Sequence, residues 1–422
     1  MEGKVSKNFS VNAITGMLRN EKLRYILISG VISIFGFVKS FLFLRLFNFL
    51  DLGLINIAQN FIISISLLQI GIITGGYRLY CYKSEEIRSL INSAVLYFFF
   101  ILSSVLLIVL GVAVVFFDTD ISIYQLFFFV MIGVLSLYGN WVTCKILAIG
   151  KIKLLNRANL ISAILSILII FLFKYIGVWA ALLAFLSQSL ILILFCYARV
   201  PQIVPKIQNF NFKKIVGKVI SIGFVPYLTT AMGYFNSQLG RWLITLKLGT
   251  FILGKTSIVN LFITVLNVFP TAISHLFYPT LIAKYEMGNM VEFKQSLQRY
   301  FLVLAIYLSG TILLTLMLSN FVVGILFPIH LESLNLVYAI LPSLTFLCIT
   351  SPIIVVLQAA KKFKAIFFGS LISVVVYLVL LVVYLYRFDT KLIGFFIIES
   401  ISSFCFFVYN CIIFRKILKE TK

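Results

Sequence analysis

The stretch SLINSAVLYFFFILSSVLLIVLGVAVVFF, residues 89–117, lies between Arg88 and Asp118 and carries no charge. It exceeds the ~20 apolar residues that a helix needs to cross the hydrocarbon of a bilayer. Three more charge-free runs follow, between Asp120 and Lys145, between Lys174 and Arg199, and between Lys364 and Arg387. A chain that repeats this pattern, with short polar stretches between, is a polytopic helical membrane protein.

Composition agrees. Of the 422 residues, 62% are hydrophobic and 11% charged, with a mean hydropathy of +1.11. No soluble domain of this size hides that much apolar surface. No polar stretch is long enough for a soluble domain, and no Gly-rich phosphate loop ending in Lys-Ser/Thr is present. A nucleotide-driven pump is thereby excluded, so transport must run on a gradient or on the free energy of the substrate. The six cysteines are scattered, mostly in apolar runs, and none forms a C-x-x-C pair. They read as packing residues, with neither a disulfide framework nor a metal site expected. Residues 1–24 lack the short apolar core of a cleavable signal, so the first spanning helix is expected to act as its own targeting signal.

Twelve helices are expected, near 25–48, 53–77, 89–117, 122–147, 156–174, 177–198, 219–245, 253–282, 299–320, 334–359, 365–386 and 392–414. The loops on one side, with both termini, hold 26 of the 35 Lys and Arg, whereas the opposite loops hold only Lys174, Lys247, Lys255, Arg387 and Lys391. By the positive-inside rule the first side is cytoplasmic, as are both termini. The +22 net charge is therefore membrane topology and attraction to anionic lipid. It is spread over seven loops, so a nucleic-acid partner is not expected.

The two halves resemble each other. AIGKIK at 148–153 matches AAKKFK at 359–364, and at the same offset of 211 LIS at 160–162 matches LIS at 371–373. Around the first two helices the offset is 201, pairing Leu52-Gly53 with Leu253-Gly254 and Phe61-Ile62 with Phe262-Ile263. Two repeats in one orientation imply a pseudo-two-fold axis along the membrane normal, with substrate held between the halves. The expected organisation is a cytoplasmic N-terminus (1–24), a first six-helix bundle (25–198), a linker (199–218) with Pro201 and Pro205, a second bundle (219–414) and a tail (415–422).

The segment GFVKSFLFLRLFNFLDLGLINIAQNFIISISLLQIGI, residues 36–72, has a basic first helix, a short turn with Gly, and a second helix that ends near Gly75-Gly76. It resembles the opening of the MOP superfamily of multidrug, oligosaccharidyl-lipid and polysaccharide exporters. SQLGRWLITLKLGTFILGKTSIVNLF, residues 237–262, resembles the seventh-helix pattern of bacterial polysaccharide flippases of the Wzx type. The resemblance implies a MATE-like fold of two pseudo-symmetric six-helix bundles. It implies a flippase that moves undecaprenyl-pyrophosphate-linked oligosaccharide, an O-antigen or capsule unit, across the bacterial inner membrane. It implies partners beyond that lipid and the bilayer, namely a polysaccharide polymerase and a chain-length regulator. No cofactor is implied, and no catalytic residue. Two departures stand out. Such seventh helices often read Asp-Arg where this chain reads Gly240-Arg241, and the tyrosine often found after the Gly that opens the eighth helix is absent at Lys255-Thr256.

Ionisable residues inside a bilayer are costly, and each is a functional candidate. Here they are Lys39, Arg45, Lys145, Arg241, His275 and Glu399, with Lys255 just outside the eighth helix. Lys39, Arg45, Arg241, Lys255 and His275 are the candidate lining of a cationic cavity. Each has a plainer reading: interface snorkelling for the Lys and Arg residues, or a bond to a carbonyl freed near Pro270 and Pro279 for His275. Lys145 lies so near the inner loop that an interface role is its first reading. Lys39 falls on Gly240 at the 201 offset, beside Arg241, so the two cations are expected at similar depth. Glu399 either pairs with a cation or couples transport to an ion. An excess of cations suits a pyrophosphate or an acidic sugar. The competing readings are a cation-coupled multidrug antiporter of the same fold, which wants acidic residues in the first half, and a membrane-embedded polymerase or glycosyltransferase. The latter wants a long loop with acid/base residues, and the longest outer loop offers only His330 and Glu332.

Overall fold

The computed structural model describes residues 21–116, 122–205, 211–387 and 391–420. The expected N-terminal segment 1–24 falls almost wholly outside the described residues. Every regular element among the described residues is helical: α1 (Glu21–Leu46), α2 (Phe49–Leu67), α3 (Ile72–Tyr82), α4 (Glu85–Phe116), α5 (Ile123–Ala148), α6 (Ile152–Ile170), the single turn α7 (Phe173–Ile176), α8 (Trp179–Arg199), α9 (Phe212–Lys255), α10 (Ser257–Glu286), α11 (Met290–Leu326), α12 (Leu334–Ala359), α13 (Phe363–Arg387) and α14 (Leu392–Glu420). Nine of the described helices are long and apolar enough to cross a membrane, ten if the bent α9 counts as one span. The chain is an all-α integral membrane protein.

Local chemistry sets several ends. Asn48 caps α2 by accepting from the Asp51 amide, and Ser122 with Gln125 forms a capping box at the start of α5. The expected second helix, 53–77, is broken in two. Ile70 (φ 50°) and Gly71 (φ 83°) lie in the left-handed region, so the α-helical hydrogen-bond ladder cannot pass through them. The expected gap between helices seven and eight shrinks to Gly249 (φ 85°, ψ 170°), with helical backbone on both sides. The expected linker is shorter than 199–218, because α9 already begins at Phe212. Its first part, Phe212–Leu228, is bent 66° from Ala231–Lys255, and Pro226, which lacks an N–H, lies just before the bend.

Helix neighbours reveal the duplication. Within the first half, α2 packs on α5, α5 on α8, α6 on α8, α1 on α6, and α4 on α5. Within the second half the counterparts α10 and α12, α12 and α14, α13 and α14, α9 and α13, and α11 and α12 pack in the same way. Between the halves, α1 meets α10 and α9 meets α2, which a two-fold axis interchanges. Exposure follows the same rule. The counterparts α4 and α11 turn apolar side chains outward, with Phe100 69% and Phe321 68% exposed, as befits helices facing lipid. The central counterparts α5 and α12 are largely buried.

Lipid is as apolar as leucine, so close backbone approach, not water exclusion, must hold the halves together. At the end carrying the α1–α2 turn, a Cβ on Gly53 would run into the Thr250 carbonyl, and one on Gly254 into the Phe49 carbonyl. Those two contacts are copies of each other at the 201 offset. Further along, Gly71 and Gly75 meet α9 at Val219 and Gly223 backbone to backbone. The Gly71–Gly75 spacing thus serves a close crossing.

Candidate functional site

Among the described residues, two cavities contain most of the polar side chains of interest, one walled by the first half and one mainly by the second. The cavity of the second half, about 330 Å³, has a mainly apolar wall, including Ile263, Ile340, Leu344 and Phe406, into which Arg241, Glu399, Asn236, Gln238 and several serines are set. That of the first half, about 420 Å³, is walled by Ser136, Asn140, Thr143, Asn159, Gln188 and Ser189, with Phe185. Their walls correspond. Ser136, Asn159, Gln188 and Leu192 match Leu347, Ser370, Glu399 and Ser403 at the 211 offset, and Ile62 matches Ile263 at the 201 offset. The two cavities occupy overlapping positions of the repeat.

Arg241 is half-buried on α9, and its Nη2 donates to Asn260 Oδ1 at 2.9 Å. Asn260 Nδ2 donates to Asn56 Oδ1 at 3.1 Å, and Asn56 Nδ2 donates to the Leu253 carbonyl at 3.0 Å and to Ser257 Oγ at 2.9 Å. Asn56 and Ser257 are exactly one repeat offset apart and touch, so the pseudo-axis passes between them. A cation in the second half is therefore wired through two amides to α2 of the first. Among the described residues no ion pair within 4.0 Å joins Arg241 to Glu399, although both wall the same space. Asn236 donates to Ser373 and Ser402, both at 3.0 Å, while its Oδ1 and Gln238 Oε1 are buried without a protein partner. An unpaired buried polar atom costs roughly 1–3 kcal/mol, so such atoms are where a ligand or water is bonded.

Lys39 is 8% exposed on α1. Its Nζ donates to Gln188 Oε1 at 3.0 Å and lies 4.2 Å from the centre of the Phe185 ring. Lys39 is thus one side chain behind the wall of the first cavity, and neither cavity is walled by both Lys39 and Arg241. The two are related in another sense: Gln188 matches Glu399 at the 211 offset, and Lys39 falls on Gly240, one residue before Arg241, at the 201 offset.

The remaining candidates lie elsewhere. Arg45 is exposed and donates to the Leu326 carbonyl at 2.9 Å, bridging α1 to the end of α11. Lys255 sits over the Phe49 and Phe251 rings at 5.8 and 5.6 Å and pairs with Glu332 at 4.0 Å. Both belong to the closure at the α1–α2 end and wall neither cavity. His275 falls on α10, and its side chain lies outside the described residues.

Lys145 departs from the interface role expected of it. It is wholly buried, donating to Asn92 Oδ1 at 2.9 Å and to the Ile203 carbonyl at 2.7 Å. Trp141 Nε1 also donates to Asn92 Oδ1, at 3.0 Å, and Asn92 Nδ2 donates to the Ile203 carbonyl at 2.8 Å. The Tyr197 ring lies 5.1 Å from the ammonium. Lys145 therefore fastens the start of the linker to α4 and α5, a role that no position along α5 announces. Gln188 is a wall residue that reading the sequence by charge passes over, because it is neutral. Extending the 211 offset to Glu399 is the signal that would have found it.

No protein-family profile and no curated protein matches the chain. Solved structures do. An inward-facing multidrug resistance MATE family transporter of the MOP superfamily aligns over 92% of this chain and 95% of its own, with a TM-score of 0.72 and 12% identity. The lipid II flippase MurJ in an inward closed conformation aligns over 92% and 87%, with a TM-score of 0.69 and 15% identity. A variant of the Vibrio cholerae MATE transporter VcmN aligns over 98% of both chains, with a TM-score of 0.63 and 15% identity. The chain has the membrane fold that these MATE transporters and the flippase MurJ share.

Proposed function

We propose that this protein is a flippase that moves an undecaprenyl-pyrophosphate-linked oligosaccharide across the bacterial inner membrane by alternating access. The observation that carries the reading is Arg241: a cation in a cavity wall, bonded through Asn260 and Asn56 to the opposite half. An anionic head group bound at Arg241 alters a network that spans the interface between the halves, so occupancy and the arrangement of the halves are coupled. The head group is large and charged, and taking it through hydrocarbon unaided is prohibitive. A polar cavity open in turn to each side removes that cost, while the polyprenyl tail stays in lipid. The crossings at Gly53–Gly254 and at Gly71, Gly75 and Gly223 are the contacts that rocking would open. Lys39 supplies a second positive charge behind the first cavity. No bond is made or broken, so no catalytic residue is assigned. A polymerase and a chain-length regulator would be served by its product.

Glu399 favours a second reading, a cation-coupled multidrug antiporter, because a carboxylate facing a cavity attracts organic cations. One experiment separates the two. The purified protein in liposomes is given a fluorescent undecaprenyl-pyrophosphate oligosaccharide or an organic cation under a proton or sodium gradient. Translocation of the lipid and no cation transport is expected. Cation transport without lipid translocation would replace the first reading by the second.

A further inference from the structure

The cavity of the first half differs in chemistry from its copy. Six of its wall residues, Ser136, Asn140, Thr143, Asn159, Gln188 and Ser189, end in amides or hydroxyls, and none is ionisable. The rest of the wall is Phe185, Ile62, Leu192 and the bare backbone of Gly139, where an added Cβ would touch only Ser189 Cβ at 3.8 Å. Its volume, about 420 Å³, falls in the range of small-molecule sites, roughly 300–1,000 Å³.

Amides and hydroxyls both donate and accept hydrogen bonds. A ligand that matches them must carry groups that do both, spread over its surface, and an apolar face to lie on the Phe185 ring. A pyrophosphate fits poorly, since it only accepts and calls for cations in direct contact. An organic cation would want a carboxylate, and the corresponding carboxylate, Glu399, stands in the other cavity. A sugar ring fits: its hydroxyls donate and accept, and its C–H face is apolar. Lys39 confirms the partition of roles, for its ammonium is directed at Gln188 and the Phe185 ring, behind the wall rather than into the space.

We propose that the first-half cavity is a carbohydrate subsite that holds a neutral, hydroxyl-rich sugar residue of the lipid-linked substrate, with Asn140, Asn159 and Gln188 bonding its hydroxyls. The charged part of the head group lies toward Arg241. This inference rests on the flippase reading and divides the substrate between the two copies of the duplicated site.

The test uses the full-length protein in lipid nanodiscs with two probes, sugar-free undecaprenyl pyrophosphate and the same lipid bearing a neutral disaccharide. Wild-type protein should bind the second about tenfold more tightly, the equivalent of one or two net hydrogen bonds. Asn140→Ala with Asn159→Ala should erase that advantage and leave the affinity for the sugar-free lipid within about twofold. Asn140 is exposed, so Asn140→Ala alone is the variant that keeps its fold, and it should lose about threefold for the sugar-bearing lipid only. Equal affinity of wild-type protein for the two lipids overturns the subsite and leaves the flippase reading standing. An undiminished sugar advantage in Asn140→Ala and in the double variant also overturns it. Binding of neither lipid by wild-type protein overturns the flippase reading, and the subsite with it.

Discussion

Gln188 in the first half and Glu399 in the second occupy one position of the repeat, and each has a cation beside it in the repeat: Lys39 in the first half and, one residue past its counterpart Gly240, Arg241 in the second. In the first half a lysine bonds a neutral amide at 3.0 Å and is shut behind the cavity wall. In the second an arginine stands in the wall, shares it with a carboxylate, and reaches the other half through Asn260 and Asn56. The walls share several repeat positions, yet one cavity carries ionic side chains and the other is lined by neutral ones. A protein with two identical sites would meet a symmetric ligand. One with an ionic and a neutral site is suited to a ligand with an ionic and a neutral part.

The largest expected effect comes from removing the ionic side. Arg241→Ala deletes the charge and the bond to Asn260, and a hydrogen bond to a charged group is worth about 1.5–3 kcal/mol. Translocation of the pyrophosphate-linked probe in liposomes should fall roughly 100-fold at normal protein levels, since each 1.4 kcal/mol is a factor of about ten. Translocation within about twofold of wild type would break the comparison at its ionic end.

A smaller effect should follow from making the first half resemble the second. Gln188→Glu places a carboxylate beside Lys39 and cancels its charge. Binding of sugar-free undecaprenyl pyrophosphate should weaken about tenfold, the equivalent of about 1.4 kcal/mol. Unchanged binding would mean that Lys39 contributes nothing to the field in which the head group sits, and that its place behind the wall is purely structural.

The smallest effect is expected from the reverse exchange. Glu399→Gln makes the second half resemble the first and leaves Arg241 opposed by an amide alone. Binding of the same probe should tighten about threefold, less than the previous change because Arg241 is already bonded to Asn260 and half-buried. Weaker binding after this substitution would show that Glu399 holds Arg241 in place rather than opposing it. If Glu399 instead carries a coupled ion, the variant should bind normally while translocation stops responding to an imposed proton gradient.

Much of this was legible without coordinates. Charge-free runs such as residues 89–117 announced the membrane class, because hydrocarbon tolerates few ions. The offsets of 201 and 211 announced the duplication. Helix breaks were harder to read. Nothing in the apolar run from Leu52 to Tyr77 marks Ile70 as left-handed, and the early start of α9 at Phe212 lies inside a basic stretch that reads as a linker. Side-chain destinations were the least legible. Charge and depth alone made Lys39, Arg45 and Arg241 look alike.

The sequence by itself determined that the chain is helical, spans a membrane, is built from two related halves, and carries an excess of cations in its spans. Those properties are sums over residues or periodicities along the chain, and they do not depend on what packs against what. Tertiary structure decided the rest. It put Arg241 in a cavity wall, Lys39 behind another, Lys145 against the Ile203 carbonyl, and Arg45 and Lys255 at the closed end between the halves. A buried cation is defined by the donors, acceptors and rings around it, and these come from helices up to 149 positions away in the chain. Only the packed molecule brings them within hydrogen-bond distance.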